Sequence, residues 1–346
     1  MSHILDRVIN DKCIDWSSLK GSSVLVTGGT GLVGSVIVRT LLYANKTIDA
    51  GIDITLIVRN PSKAALLFED DFDSLNIIEA DLGKGISVEG KYDYIIHCAS
   101  ITNSAMMVKN PVETIDTSYR GTFAMLELAR QSNSKGMVYV SSMEAYGVTT
   151  ERMNPITEEK LGTVDLSNVR SSYQEGKRIC ELLCTSFAHE YGVKVCSARL
   201  AQTFGYGVSS AETRVFAQFA RSILDRHDIV LHTKGDSVGN YCDTTDTVAA
   251  ILCLLTSGVA GDTYNVANEA NSCKINEMAS LCADRISKGA ISVIYDIPES
   301  NTFGYAPATC MRLDASKMRS LGWTPLFSLE DMYTHLIAYW NGLEDS

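Results

Sequence analysis

The stretch that most constrains this chain is Thr27-Gly28-Gly29-Thr30-Gly31-Leu32-Val33-Gly34. It follows the apolar run Val24-Leu25-Val26 and precedes a helix-like segment at 35–42. Glycines at 28, 31 and 34 leave room for a tight turn, for close approach of a ligand to bare backbone, and for close helix–strand contact. The helix opening there presents free N–H groups and its positive dipole end, so strand, loop and helix together form a cradle for a pyrophosphate. The candidate contacts are Gly28, Thr30, Gly31, Leu32, Val33 and Gly34.

Strand-like runs at 24–26, 54–58, 77–78, 94–97, 137–140 and 193–198 alternate with helix-length segments. This βα rhythm predicts a doubly wound, Rossmann-type parallel sheet. The runs are too continuously apolar for a sheet with one wet face, so helices should cover both sides. The 346 residues exceed one ordinary domain of ~100–200. The expected division is a helical extension at 1–20, a Rossmann lobe at 21–200 with segments returning near 240–268, and a smaller α/β substrate lobe mainly at 201–346. The rhythm changes at the polar, glycine-containing stretch 203–213 and the amphipathic segment 215–224, and ligands of open α/β sheets bind beyond the carboxyl ends of the strands.

Composition narrows the function. With 41 acidic against 30 basic residues the net charge is −11, which opposes binding to nucleic acid. No apolar run approaches the ~18–20 residues of a membrane span, and a soluble cytoplasmic protein is expected. The ten cysteines include no CxxC pair and several lie in apolar patterns, which reads as free thiols in a reducing compartment. The six histidines show no HExxH or HxxxH spacing, so no metal is expected.

Beyond the cradle, Arg59 stands at the end of the second strand, where an acidic residue would accept from an adenosine 2′-hydroxyl. It can pair with a 2′-phosphate or lie over adenine or in solvent; NADP is favoured and NAD stays open. Asp81, followed by Leu82 at the end of the third strand, is placed for the adenine amine or for a helix N-cap. Tyr173 and Lys177 are four residues apart on one helix face, and the ammonium should lower the tyrosine pKa. Ser142 ends the strand some thirty residues earlier.

These segments, with Ile95-Ile96-His97-Cys98-Ala99-Ser100, Gly121-Thr122, Ser141-Ser142-Met143-Glu144-Ala145-Tyr146-Gly147, Arg199 with Phe204-Gly205, and Leu321-Gly322-Trp323-Thr324-Pro325, resemble the extended short-chain dehydrogenase/reductases. That family comprises NAD(P)-dependent epimerases and dehydratases of nucleotide sugars. Ser172-Tyr173-Gln174-Glu175-Gly176-Lys177-Arg178 most resembles its UDP-glucuronate decarboxylase branch. The resemblance implies a nucleotide-diphosphate sugar as substrate, Cys98, Ala99 and Ser100 beside the cofactor, and a homodimer formed by helices near 112–131 and 173–191. Tyr173 would take the proton from the sugar 4-hydroxyl, Ser142 would hydrogen-bond that oxygen, Lys177 would hold the cofactor ribose, and Glu144 would act near C5. Hydride return would close the cycle without net redox change.

The chain departs from the pattern at three places. Ser118 replaces an Asn that orders a relay water, and Gln202 replaces the Asn before the Phe-Gly pair. Gly239 stands where relatives carry an arginine for the substrate phosphates. Arg214 and Arg312 match other positions that can contact the diphosphate, and Arg170 is close to Tyr173 in sequence. The absence of arginine from 235–246 also removes a cation for a substrate carboxylate. Three alternatives stand beside the epimerase or dehydratase: a UDP-glucuronate decarboxylase, an NADPH-dependent carbonyl reductase, and a non-catalytic nucleotide-binding regulator.

Overall fold

The computed structural model describes residues 2–84, 88–298 and 309–342. Six strands arrive in order: β1 (Ser23–Thr27), β2 (Asp53–Val58), β3 (Asn76–Glu79), β4 (Tyr94–His97), β5 (Gly136–Ser142) and β6 (Val195–Leu200). The second half adds β7 (Gln202–Phe204), β8 (Ile229–Leu231), β9 (Val238–Asp243), β10 (Thr263–Val266), β11 (Asn268–Lys274) and β12 (Val293–Tyr295). One parallel sheet runs β10-β6-β5-β4-β1-β2-β3. This is the doubly wound order, with its direction switching between β1 and β4, so a crevice opens at the carboxyl ends of those two strands.

Long apolar runs form this sheet because both faces are buried. β6 is buried at every position, and the helix Thr244–Ser257, apolar from Val248 to Leu255, is buried from Thr244 to Leu255. Each aliphatic side chain sequestered there contributes ~1.5–3 kcal/mol. The first residues belong to this core. Leu5 and Val8 of the helix Ser2–Ile9 are buried, and Arg7 donates through Nη2 to the Thr324 carbonyl at 2.8 Å and lies 3.3 Å from Asp246.

After β6 the chain crosses into a second lobe. A three-stranded sheet, β11-β9-β7, and the pair β12-β8 surround a separate apolar cluster. At its centre the Phe204 ring stacks on Phe216 at 4.4 Å and meets Tyr333 and Tyr241 edge-on. The amphipathic segment expected near 215–224 is the helix Val215–Asp225, whose Phe216, Ala217, Phe219 and Ala220 face this cluster. The chain then returns to the main sheet through the helix Thr244–Ser257 and β10. Residues 299–308 and 343–346 of the expected lobe lie outside the described residues.

Candidate active site

The glycine cradle lies at the carboxyl end of β1. Gly28 has φ +69°, and a Cβ on it would stand 2.7 Å from the Ala99 nitrogen, so β1 and β4 approach as only glycine permits. A Cβ on Gly34 would lie 2.3 Å from the Gly28 carbonyl oxygen, which fixes how closely the helix Leu32–Thr47 meets the loop. At Gly31 a Cβ would meet only that same oxygen, at 3.3 Å. Gly31 is the N-cap of this helix and no side chain caps it. An exposed backbone N-terminus with open space over it suits a pyrophosphate.

Around the cradle, Thr27 Oγ1 accepts from the Ala99 nitrogen at 3.2 Å and shares a 2.7 Å hydrogen bond with His97 Nδ1. His97 Nε2 reaches Thr122 Oγ1 at 3.2 Å. Burial first, then the Lys177 charge, push the imidazole pKa down to about 3, so this histidine is a neutral strut. Ser100 Oγ is buried without a hydrogen-bond partner, an orphan hydroxyl beside the crevice that a bound cofactor would satisfy. Cys98 and Ala99 precede it at the end of β4, half-buried.

Arg59, at the end of β2, is exposed and makes no ion pair among the described residues. The next turn supplies a cation that the sequence did not single out. Lys63, in the helix Pro61–Phe68, donates through Nζ to the Thr30 carbonyl at 3.0 Å, and Asn60 caps that helix by accepting from the Lys63 nitrogen at 3.1 Å. Asp81 Oδ1 accepts from the Gly83 nitrogen at 3.1 Å, so one of its oxygens serves a turn, while Leu82 is buried against Gly121. The bare loop, the free helix end, the orphan hydroxyl and two cations by the ribose position fit a nicotinamide dinucleotide.

β5 delivers Ser142 to the same crevice, and the helix Ser171–Tyr191 brings Tyr173 and Lys177 beside it. Tyr173 is buried, and Ser142 is among the groups that act on its phenol. The expected fall in its pKa is not what the structure gives: the phenol is pushed up to about 12. Burial is the main cause and the Glu144 carboxylate adds to it, against Ser142, Arg170 and Arg214. Lys177 is itself buried, donates through Nζ to the Val140 carbonyl at 2.8 Å, and stands 5.6 Å from the Tyr173 ring centroid. Desolvation of the phenolate therefore sets the direction of the shift.

A buried clamp beneath these residues was missed except for Arg199. Glu181, two turns beyond Tyr173 on the same helix, accepts from Ser141 Oγ at 2.5 Å and from Arg199 Nη2 at 2.6 Å. It thus ties the end of β5 to β6 and to the helix Ser171–Tyr191. The helix spacing Tyr173, Lys177, Glu181 is the signal that could have revealed it. On the neighbouring helix Pro111–Ser132, Ser118 donates to the Thr114 carbonyl at 2.8 Å, so its proton serves the helix and not a relay.

In the turn after β5, Glu144 is held by Arg170, whose Nη2 donates to both carboxylate oxygens at 3.0 and 2.8 Å. The same guanidinium lies 5.8 Å from the Tyr173 ring centroid. Gln202 opens β7, half-buried. Arg214 pairs with Glu212 at 2.8 Å and adds a favourable charge for the Tyr173 phenolate, whereas the Arg312 side chain is exposed and its backbone N–H donates to Asn154. Gly239 has a local cause: a Cβ there would stand 3.0 Å from the Tyr241 hydroxyl, and the Tyr241 ring is fully buried in the second core.

Known proteins carry the same organisation. The model for the "NAD dependent epimerase/dehydratase family" matches residues 24–267. UDP-glucuronic acid decarboxylase 1 of Xenopus tropicalis is 26% identical, over 91% of this chain and 71% of its own length. UDP-glucuronic acid decarboxylase 6 of Arabidopsis thaliana is 28% identical, over 89% and 85%. Among solved structures, UDP-N-acetylglucosamine 4-epimerase from Methanobrevibacter ruminantium M1, in complex with UDP-N-acetylmuramic acid, superposes with a TM-score of 0.78 at 20% identity, covering 94% of this chain and 99% of that one. The family match begins in β1 and ends just past β10, so it spans the whole parallel sheet and both segments that meet at Tyr173, and on that ground the chain belongs to the NAD dependent epimerase/dehydratase family, as an NAD(P)-dependent enzyme.

Proposed function

We propose that this enzyme converts a nucleotide-diphosphate sugar through a transient 4-keto form, as an epimerase or dehydratase. The observation that carries the reading is the convergence of Ser142, at the end of β5, with Tyr173 and Lys177 on the helix Ser171–Tyr191, where Lys177 lies 5.6 Å from the Tyr173 ring centroid and is tied to the Val140 carbonyl of β5. Tyr173 takes the proton of the sugar 4-hydroxyl and later returns it, and Ser142 holds that oxygen. The bound dinucleotide supplies the hydride acceptor and donor, and in its oxidised form a positive ring that favours the phenolate. Lys177, fixed to the Val140 carbonyl, orients the ribose. Glu144 serves C5. Arg59 and Lys63, two cations at the end of β2, favour NADP over NAD.

Decarboxylation of a uronate is a second reading, which Arg170 favours. No arginine lies between 235 and 246, but Arg170 puts a guanidinium near the Tyr173 ring, where a C5 carboxylate would need one. A panel of UDP- and TDP-linked hexoses and uronates, followed by NMR, separates the products. Wild type should convert one member without net change in cofactor absorbance, and Tyr173→Phe should lose at least about 100-fold of that rate while keeping its cofactor. Net consumption of NADPH with a carbonyl substrate would replace both readings with a reductase.

The pairing of two copies has a surface to use. Val112, Ile115, Tyr119 and Phe123 line one side of the helix Pro111–Ser132 and are exposed, as are Ile179 and Leu182 of the adjacent catalytic helix. Unpartnered apolar stripes on two packed helices suit a four-helix dimer. Sedimentation should give a dimer for wild type and a monomer for Tyr119→Glu; a monomeric wild type would refute the pairing.

A further inference from the structure

Arg170 immediately precedes the helix Ser171–Tyr191, and the epimerase or dehydratase reading gives it no role. Its guanidinium uses one nitrogen, Nη2, for both oxygens of Glu144, while Nη1 is buried without a hydrogen-bond partner. Glu144 is the only ion-pair partner of its side chain among the described residues, and its guanidinium also lies over the Tyr173 ring. Glu144 in turn has a fixed backbone, since its N–H donates to Ser142 Oγ at 3.2 Å, but Arg170 is its side chain's only ion-pair partner among the described residues.

We propose that Arg170 is a positioning residue: a single guanidinium that grips the Glu144 carboxylate and lies over the Tyr173 ring fixes that carboxylate beside the acid–base group. The pair is a third exposed or less at each end, so the hold is geometric as much as energetic. Without the guanidinium, the Glu144 side chain turns towards water and its influence on Tyr173 lapses. The inference rests on Tyr173 being the acid–base group.

Several groups face Tyr173. Ser142 and Tyr139 come from β5, Glu144 from the turn after it, Lys177 from one helical turn on, Arg170 from the helix start, and Arg214 from the second lobe. The carboxylate raises the proton affinity of the phenol and the guanidinium lowers it, so two mechanisms make opposite forecasts. If Arg170 acts only through its charge, Glu144 exerts the same effect whether Arg170 is present or not. If Arg170 positions Glu144, the effect of Glu144 vanishes with it.

The test is carbon-13 NMR of ring-labelled tyrosine in the cofactor-loaded protein, with the Tyr173 signal assigned by its loss in Tyr173→Phe. Glu144→Gln should lower the Tyr173 titration midpoint by about half a unit to one unit in the wild-type background. In an Arg170→Gln background the same substitution should produce only a small fraction of that shift, and in Arg170→Lys an intermediate one. Equal shifts in all three backgrounds, or no shift on Glu144→Gln, would overturn the proposal. Should Arg170→Gln not fold, the contrast between Arg170→Lys and wild type decides it in the same direction. The titration reads the pair without any sugar turnover, so its failure is distinct from failure of Tyr173 in the substrate panel.

Discussion

The cofactor end and the second lobe both depend on glycines at positions where other chains could carry side chains, and they use the space in opposite ways. At Gly31 the volume a Cβ would enter is nearly bare, bounded by one carbonyl oxygen at 3.3 Å. At Gly239 that volume is already taken by the Tyr241 hydroxyl and ring carbon, at 3.0 and 3.1 Å. The first glycine leaves room for a ligand; the second leaves room for the protein's own core. Position 239 thus belongs to the packing of the second core, and under the proposed function the phosphates of a nucleotide sugar would rely on cations elsewhere, of which Arg214 already carries Glu212 as a partner.

The largest effect should come from Gly34→Ala. Its new methyl would press the Gly28 carbonyl, which is backbone and cannot swing aside, so unfolding stability should fall by ~1–3 kcal/mol and cofactor retention with it. Thermal unfolding together with the cofactor content of the purified protein checks this, and full retention of both would break the account of the cradle. A smaller effect is expected on the other side. Gly239→Ala should cost ~1 kcal/mol or less, because the Tyr241 side chain can shift by a few tenths of an ångström, and should leave cofactor content unchanged. The smallest is Tyr241→Phe. Its hydroxyl is buried without a partner, so removing it should be nearly neutral and should relieve the cost of Gly239→Ala. A Gly239→Ala protein that loses cofactor would show that the two regions are not separate in the way drawn here.

The sequence and the structure agree most where chemistry is local. The glycine loop, Ser142 at the end of β5 and Ser100 just past β4 mark places where a βα unit turns, and the Tyr173–Lys177 spacing is one turn of a helix. What escaped depends on distance in the chain. Arg170 and Glu144 are joined across a long loop between Gly147 and the catalytic helix, and nothing in either neighbourhood points to the other. Lys63 reaches Thr30 only because β1 and β2 pair in register, Ser23 against Asp53. The direction of the Tyr173 shift was misread because spacing reveals a nearby ammonium but not burial, and burial is the larger cause. Gly239 was legible as a missing arginine, while its reason, a tyrosine two residues on along the same strand, lies in side-chain direction.

The central claim is a closed redox cycle at the crevice between β1 and β4. The most direct measurement is to purify the protein without added nucleotide, denature it, and identify the released cofactor and its oxidation state by chromatography and absorbance. Near-stoichiometric oxidised dinucleotide is the predicted result, with the phosphorylated form favoured by Arg59 and Lys63. An empty site that binds and releases NADPH freely at each turnover would contradict the cycle and leave a carbonyl reductase in its place.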